Sequence, residues 1–169
     1  MKRLISLICA VFLFSALFMC SCKKTDACQT VTDFSAQLSV SSNDISVKAD
    51  FSSARQGVMN ITVTEPDTLC GSSYSYKDGE LTYSLGGLSR TGSVDALPDS
   101  AFFSRLYRCF SLINAGEITL CESTDNQSVF TAEEENCQYK IFVNRPSGFI
   151  DKIQTDDFTF EFTNVSPYA

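Results

Sequence analysis

The chain has 169 residues, a formal net charge of −7 and no histidine. This length suits one compact domain with a core of its own. Without histidine there is no Ser-His-Asp or Cys-His nucleophile and no His-ligated zinc, so large classes of hydrolases and metalloenzymes are excluded. An acidic chain with no clustered lysine or arginine repels phosphate backbones, so we expect no nucleic-acid partner.

The amino terminus has the order of a bacterial lipoprotein signal. Lys2 and Arg3 give a cationic start, the segment 4–19 is apolar without interruption, and Ser21 precedes Cys22. We expect residues 1–21 to be removed as a signal peptide and a diacylglycerol to be attached to the Cys22 thiol. The mature protein would then be anchored by lipid at the extracytoplasmic face of the cell membrane.

Two other interpretations of this segment remain open. Cys20 is an alternative lipid acceptor, but bulky Phe18 and Met19 precede it, where the signal peptidase prefers small side chains. In the second alternative, the segment 4–19 stays uncut as a signal anchor. It is short for a membrane span, however, and it stops at cysteine rather than at a charged flank. Residues 22–33 are polar and without apolar periodicity, so we interpret them as a tether.

The domain is predicted to begin with a three-stranded antiparallel meander. Apolar side chains alternate along 34–40 and again along 45–51, and Pro66 ends a third strand. With a four-residue turn, the first pair of strands is expected to place Phe34 opposite Phe51, Ala36 opposite Ala49, Leu38 opposite Val47 and Val40 opposite Ile45. The next pair is expected to place Met59 opposite Phe51, Ile61 opposite Ala49 and Val63 opposite Val47.

The dipeptide Asp78-Gly79 predicts a hairpin with a two-residue turn. The predicted pairs are Tyr76 with Leu81, Tyr74 with Tyr83 and Ser72 with Leu85. One face of this hairpin is aromatic and aliphatic, and the other is almost wholly polar. Such a sheet needs another element to cover its apolar face.

One long helix is predicted after a loop that contains Gly86-Gly87. The apolar positions at helical spacing are Phe102, Leu106, Cys109, Phe110 and Ile113. We expect Asp99 or Ser100 as the N-cap and the segment 114–116 as the end of the helix. The stripe is interpreted as core that packs on the apolar face of the sheet.

Further antiparallel strands are predicted after the helix. Their apolar positions are Ile118, Leu120, 129–131, Cys137, Tyr139, Ile141, Val143, 149–153, Phe158, Phe160 and Phe162. Polar turns are expected at 123–127, 132–136 and 145–148. The predicted fold class is α+β: a curved antiparallel sheet, or half-open barrel, of about nine strands over residues 34–169, with one main helix packed on its concave face.

Five cysteines follow the proposed acceptor: Cys28, Cys70, Cys109, Cys121 and Cys137. This number is odd, so at least one thiol is unpaired in a monomer. Cys109 and Cys137 fall on apolar stripes and are expected to be small buried hydrophobes. One or two disulfides remain open, but no CxxC spacing supports a zinc knuckle or a redox motif.

The acidic clusters 133–135 and 156–157 fall where turns are predicted. They are candidates for binding a hard cation or for paired carboxylate catalysis. No loop of alternating oxygen ligands surrounds them, so we interpret them as solvated turn charges. We therefore expect no metal, no cofactor and no enzymatic activity.

The predicted sheet has more apolar surface than one helix can cover. Either the sheet buries this surface against itself, or it stays open as a concavity that a lipid, another apolar ligand or a partner protein fills. The sequence leaves both alternatives open.

The order of these elements resembles the LolA-like lipoprotein-carrier superfamily over about residues 34–165. The resemblance lies in a meander ending in ITVTEP, the segment LCGSSYSYKDGELTYSLGGL, the helix LPDSAFFSRLYRCFSLIN and late strands ending in DFTFEFTNV. It implies a half-open barrel lined by hydrophobic residues and partly capped by helices. Soluble members of the superfamily ferry lipoproteins, while anchored relatives bind other lipids or regulate envelope proteins. None of the carriers' functional residues can be matched to this chain.

The predicted function is binding of a lipid or acyl chain in the concave sheet of an anchored lipoprotein. Candidate lining residues are Tyr74, Tyr83, Phe102, Phe110, Ile141 and Phe160. The alternative is a non-enzymatic regulatory lipoprotein that docks an envelope protein such as a cell-wall hydrolase. Because Cys22 would tether the protein to the membrane, a free shuttle is disfavoured.

Overall fold

The computed structural model describes residues 30–43, 46–54, 57–98, 100–134 and 137–168. The predicted signal peptide, the proposed acceptor Cys22 and most of the tether lie outside these residues, as do Cys28, Ile45 and Asp99.

The described residues form eleven strands and one α-helix. The strands are β1 (Phe34–Ser41), β2 (Ser46–Ala54), β3 (Val58–Glu65), β4 (Ser73–Lys77), β5 (Glu80–Leu85), β6 (Leu88–Gly92), β7 (Thr119–Ser123), β8 (Gln127–Glu134), β9 (Cys137–Asn144), β10 (Ile150–Gln154) and β11 (Thr159–Pro167). The helix α1 spans Phe102–Ala115 and follows a short 3-10 turn at Val94–Ala96.

All eleven strands belong to one open antiparallel sheet. Their order is β6-β5-β4-β3-β2-β1-β11-β10-β9-β8-β7, so β1 lies at the centre and pairs with β11. We call β2–β6 the N-terminal wing and β7–β11 the C-terminal wing. In the chain, α1 connects the two outer edges of the sheet, β6 and β7. The predicted α+β class with a curved antiparallel sheet and one helix is confirmed, with eleven strands instead of about nine.

The register of the first three strands differs from the predicted one by two residues. The observed pairs are Phe34 with Ser53, Ala36 with Phe51, Leu38 with Ala49 and Val40 with Val47, then Met59 with Ser53, Ile61 with Phe51 and Val63 with Ala49. Ser41, which was expected in the first turn, belongs to β1, and β2 begins at Ser46. A shift of two residues keeps every side chain on its face, so the alternation identifies the buried face correctly and leaves the register undetermined.

The Asp78-Gly79 hairpin is confirmed. Tyr76 lies opposite Leu81 and Tyr74 opposite Tyr83. Both turn residues have positive φ, 53° at Asp78 and 87° at Gly79, which an Asp-Gly turn accommodates.

A second tight hairpin follows at Gly86-Gly87, where a loop was predicted. Leu85 pairs with Leu88, and β6 continues along β5 to Gly92. All five residues of β6 are exposed. Its sequence LSRTG has no apolar alternation, so a strand could not be predicted from it.

The helix begins later than predicted. Its N-cap is Ala101, which offers no side-chain hydrogen bond, rather than Ser100. The chain enters α1 through a turn in which the Ala101 amide donates to the Pro98 carbonyl. Gly116, in the left-handed region with φ 75°, ends the helix as predicted.

The late strands lie where the alternation predicts them. The turns at 123–127 and 145–148 are confirmed, because β7 ends at Ser123 and β9 ends at Asn144. Within the turn predicted at 132–136, residues 132–134 belong instead to β8, and β9 begins at Cys137. Glu133 and Glu134, which were expected in a turn, are therefore strand residues.

Candidate functional site

The centre of the concave face is filled by the protein's own aromatic side chains. Phe110 of α1 packs against Phe34, Phe51 and Phe162, with ring centroids 6.1, 5.4 and 6.3 Å away. All four rings are buried. The helix and the sheet therefore pack directly against each other at this point.

The first turns of α1 lie over the N-terminal wing. Tyr74 of β4 stacks on Phe103 at 5.2 Å and meets Phe102 edge-on at 5.4 Å. On the neighbouring strand, Tyr83 lies 4.8 Å from Tyr74. Burial, and to a smaller extent the neighbouring Tyr83, raises the pKa of Tyr74, so its hydroxyl is neutral at physiological pH.

A cavity of about 360 Å³ remains open beside these tyrosines. We call it the tyrosine cavity. Its lining comprises Tyr74, Leu81, Tyr83, Arg90, Thr91, Gly92, Ser93, Ala96 and Leu97. The walls are β4, β5 and β6 on one side and the 3-10 turn with Leu97 on the other, and most of the exposed lining is apolar.

A smaller cavity of about 230 Å³ lies along the second half of α1. Met59, Tyr76, Tyr107 and Phe110 contribute to its wall. The hydroxyls of Tyr76 and Tyr107 are 2.7 Å apart and share a hydrogen bond. Burial and this bond raise the pKa of Tyr107, so its hydroxyl is neutral at physiological pH. The hydrogen bond links β4 to the helix.

A larger concavity, about 500 Å³, is a polar furrow on the C-terminal wing. Glu117, Glu133, Lys140, Gln154 and Asp156 are among its lining residues. A lining so rich in charged and amide groups keeps its water and gives an apolar chain no favourable environment. We therefore place the candidate site in the tyrosine cavity in spite of its smaller volume.

The six lining candidates from the sequence fall in three places. Tyr74 and Tyr83 line the tyrosine cavity, and half-buried Phe102 packs on Tyr74 beside it. Phe110 borders the smaller cavity. Ile141 and Phe160 are fully buried and line neither cavity.

Sequence reasoning missed Arg90 and Leu97, which complete the wall of the tyrosine cavity. Arg90 comes with β6, which was not predicted, and Leu97 lies in the connection before the helix. The one local signal was Gly86-Gly87, a dipeptide that favours a two-residue hairpin turn.

The acidic clusters form no metal site among the described residues, which contain no group of three or more cysteine, aspartate or glutamate side chains placed to hold an ion. Asp157 lies 3.8 Å from the guanidinium of Arg105 in α1. One of the turn acids therefore contributes to fixing the helix over the sheet.

The four described cysteines are all free thiols. Cys109 and Cys137 are buried, as expected, while Cys70 and Cys121 are exposed. Burial raises the pKa of both the Cys109 and the Cys137 thiol. Neither buried thiol is therefore activated as a nucleophile.

Within the described ranges no helix is both long enough and apolar enough to cross a membrane.

No protein-family model matches the chain, and no curated protein matches it. Solved structures do match the chain. MucB is 13% identical with a TM-score of 0.51, over 84% of this chain and 55% of MucB, so the chain spans about half of MucB's length. MucB has a LolA-like fold. This chain has a LolA-like fold too.

Two further proteins are similar in structure. An uncharacterised conserved protein from Thermus thermophilus is 7% identical with a TM-score of 0.56, over 80% of this chain and 78% of that chain. A LolA superfamily protein from Nitrosomonas europaea is 12% identical with a TM-score of 0.44, over 86% of this chain and 90% of that chain. MucB is also solved in complex with MucA from Pseudomonas aeruginosa. That structure matches with 13% identity and a TM-score of 0.49, over 81% of this chain and 52% of that chain.

The thiol environments predict a selective alkylation pattern. At pH 8, iodoacetamide should modify Cys70 and Cys121 in the native protein and leave Cys109 and Cys137 unmodified, because the thiolate is the reactive form and burial disfavours it. Peptide mass spectrometry measures the pattern. In denaturant without reductant all four should react. Failure of both buried cysteines to react there would indicate a Cys109–Cys137 disulfide and contradict the prediction.

Proposed function

We propose that this protein is a lipid-anchored binding protein of the cell envelope that holds an apolar chain in the tyrosine cavity. The observation that carries the proposal is the apolar lining that stays open beside Tyr74 and Tyr83 after α1 has filled the centre of the sheet. The proposed role involves no chemical step.

The size of the cavity favours a small ligand. Its volume of about 360 Å³ is near the lower limit of the range of about 300–1,000 Å³ for small-molecule sites. One acyl chain suits this volume better than the several chains of a whole lipoprotein anchor. Each methylene moved from water into such a lining contributes about 0.8 kcal/mol, so chain length should govern affinity.

A charge placed in the lining should abolish binding. Tyr83→Glu puts a carboxylate against the chain, and its desolvation opposes occupation. We expect the variant to lose most of its uptake of the neutral fluorescent probe N-phenyl-1-naphthylamine, measured by titration of the purified full chain.

The matched control is Ser84→Glu, which adds the same charge to the next residue of β5, on the opposite face of the sheet. It should bind the probe as the unmodified protein does. Mass spectrometry of organic extracts from the unmodified protein should also detect a co-purifying lipid. Equal probe binding by both variants, with no lipid in the extract, would refute the proposed function.

The proposed location follows from the amino-terminal sequence. If Cys22 carries the lipid, Cys22→Ser should abolish incorporation of labelled palmitate, because the acyl chains are attached through the Cys22 thiol. Cys20→Ser is the control and should remain labelled and membrane-bound. Persistent labelling of Cys22→Ser would contradict the assignment.

A second function, docking of an envelope protein, is favoured by exposed leucines at one end of the N-terminal wing. Leu69, Leu85 and Leu88 are 39%, 39% and 80% exposed. Leu85 and Leu88 face each other across the β5–β6 turn, and Leu69 lies in the β3–β4 loop at the same end of these strands. We call these three residues the leucine end. Clustered exposed leucines are typical of an interaction site.

The leucine end lies away from the start of the domain. β1 begins at Phe34, which pairs with Ser53. The β3–β4 loop instead begins after Glu65, which pairs with Lys48 near the other end of β2. A tether that enters at Phe34 would turn the leucines away from the membrane, so a protein is the fitting partner for them.

Removal of the two hairpin leucines should release such a partner. In cross-linking of intact envelopes, the double variant Leu85→Ser, Leu88→Ser should lose a stoichiometric adduct that the unmodified protein forms. Tyr168→Ser removes another exposed apolar side chain, 44% exposed and at a different site, and should retain the adduct. Identical adducts in all three proteins would exclude the leucine end as the docking site.

A further inference from the structure

The tyrosine cavity has one cationic wall residue, Arg90. It lies on β6 opposite Tyr83, so its side chain projects from the same face of the sheet as the two tyrosines. Because β6 is an edge strand whose residues are all exposed, Arg90 stands where the cavity opens to solvent. The cavity therefore has an apolar interior and a positive charge at its outer wall.

Arg90 has no structural partner that would explain its position. Among the described residues, Arg90 makes neither an ion pair nor a side-chain hydrogen bond. Its guanidinium is always charged and presents donors in a planar fork that matches a carboxylate or a phosphate. All of these donors are available to a ligand.

One carboxylate lies near this wall. Asp95 is in the 3-10 turn, between Ser93 and Ala96, which both line the cavity. It accepts a hydrogen bond from the Ser93 hydroxyl at 3.1 Å, and its amide donates to that hydroxyl at 3.2 Å. Asp95 is thus engaged in capping its own turn and does not pair with Arg90.

We propose, resting on the function proposed above, that Arg90 recognises an anionic head group at the end of a single acyl chain. The chain lies between Tyr74, Tyr83 and Leu97, and the carboxylate or phosphate meets the guanidinium at the edge of β6. The ligand class is therefore an anionic single-chain amphiphile. In an acidic protein, this one cation sets the direction in which the ligand enters.

The test compares head groups at constant chain length. Isothermal titration of the purified full chain uses three 14-carbon ligands below their micelle concentrations: myristate, myristoyl lysophosphatidic acid and neutral monomyristoylglycerol. We expect the two anions to bind about tenfold more tightly than the neutral ligand, with the preference weakened by salt. The tighter of the two anions identifies a free fatty acid or a phospholipid as the source of the head group.

Variants at the charged positions separate recognition from folding. Arg90→Gln should lose the tenfold preference for the anions over the neutral ligand. Arg90→Lys should keep part of this preference, because lysine retains the charge but lacks the planar fork. Asp95→Asn should strengthen binding of the anions. Lys77→Gln is the control for net charge: it removes one exposed cation from the far turn of the same wing and should bind like the unmodified protein.

The outcomes distinguish this inference from the proposed function. If no ligand binds, the cavity function itself fails. If all three ligands bind equally and Arg90→Gln changes nothing, the cavity function stands and the head-group inference is overturned. A loss of neutral and anionic binding alike in Arg90→Gln would also overturn it, because Arg90 would then act on the shape of the cavity.

Discussion

The structure depends on how a single helix covers the apolar face of a very wide sheet. A 14-residue helix is about 21 Å long. Eleven strands at a spacing of about 4.8 Å would span about 50 Å if the sheet were flat. The helix cannot cover that width, so the sheet has to curve around it. Phe110 packs among Phe34, Phe51 and Phe162 and holds the helix against β1, β2 and β11.

The same contact decides where a ligand can lie. Because four buried rings fill the centre, space beside the helix is left at the N-terminal wing, where Tyr74 and Tyr83 turn their rings toward the 3-10 turn. The two alternatives that the sequence left open, a sealed face or an open one, are thus both realised in different parts of one sheet. The sealed part gives the fold its stability, and the open part is available for binding.

The sequence predicts the faces of this sheet better than its register or its outer edge. Alternation assigns Val40 and Phe51 to the core, but a slip of two residues preserves that assignment. The sequence SSND between the two strands contains no Asn-Gly or Asp-Gly pair that would select one turn geometry. Asp78-Gly79 does select one, and there the pairing is predicted correctly. β6 has no buried residue, so apolar patterning cannot predict it. Arg90 lies on this strand and is therefore missing from the predicted site.

The position of the site on the outer strands has an energetic reason. β4, β5 and β6 are short, and Leu81 is their one buried hydrophobic residue, whereas β9 buries four side chains along eight residues. Segments with few buried contacts open more readily than the core. A chain bound against Tyr74 and Tyr83 would supply the apolar contacts that these strands lack. Since a ligand that binds only the folded state stabilises it, occupation of the cavity would extend the core to the outer strands of the N-terminal wing, beside the helix.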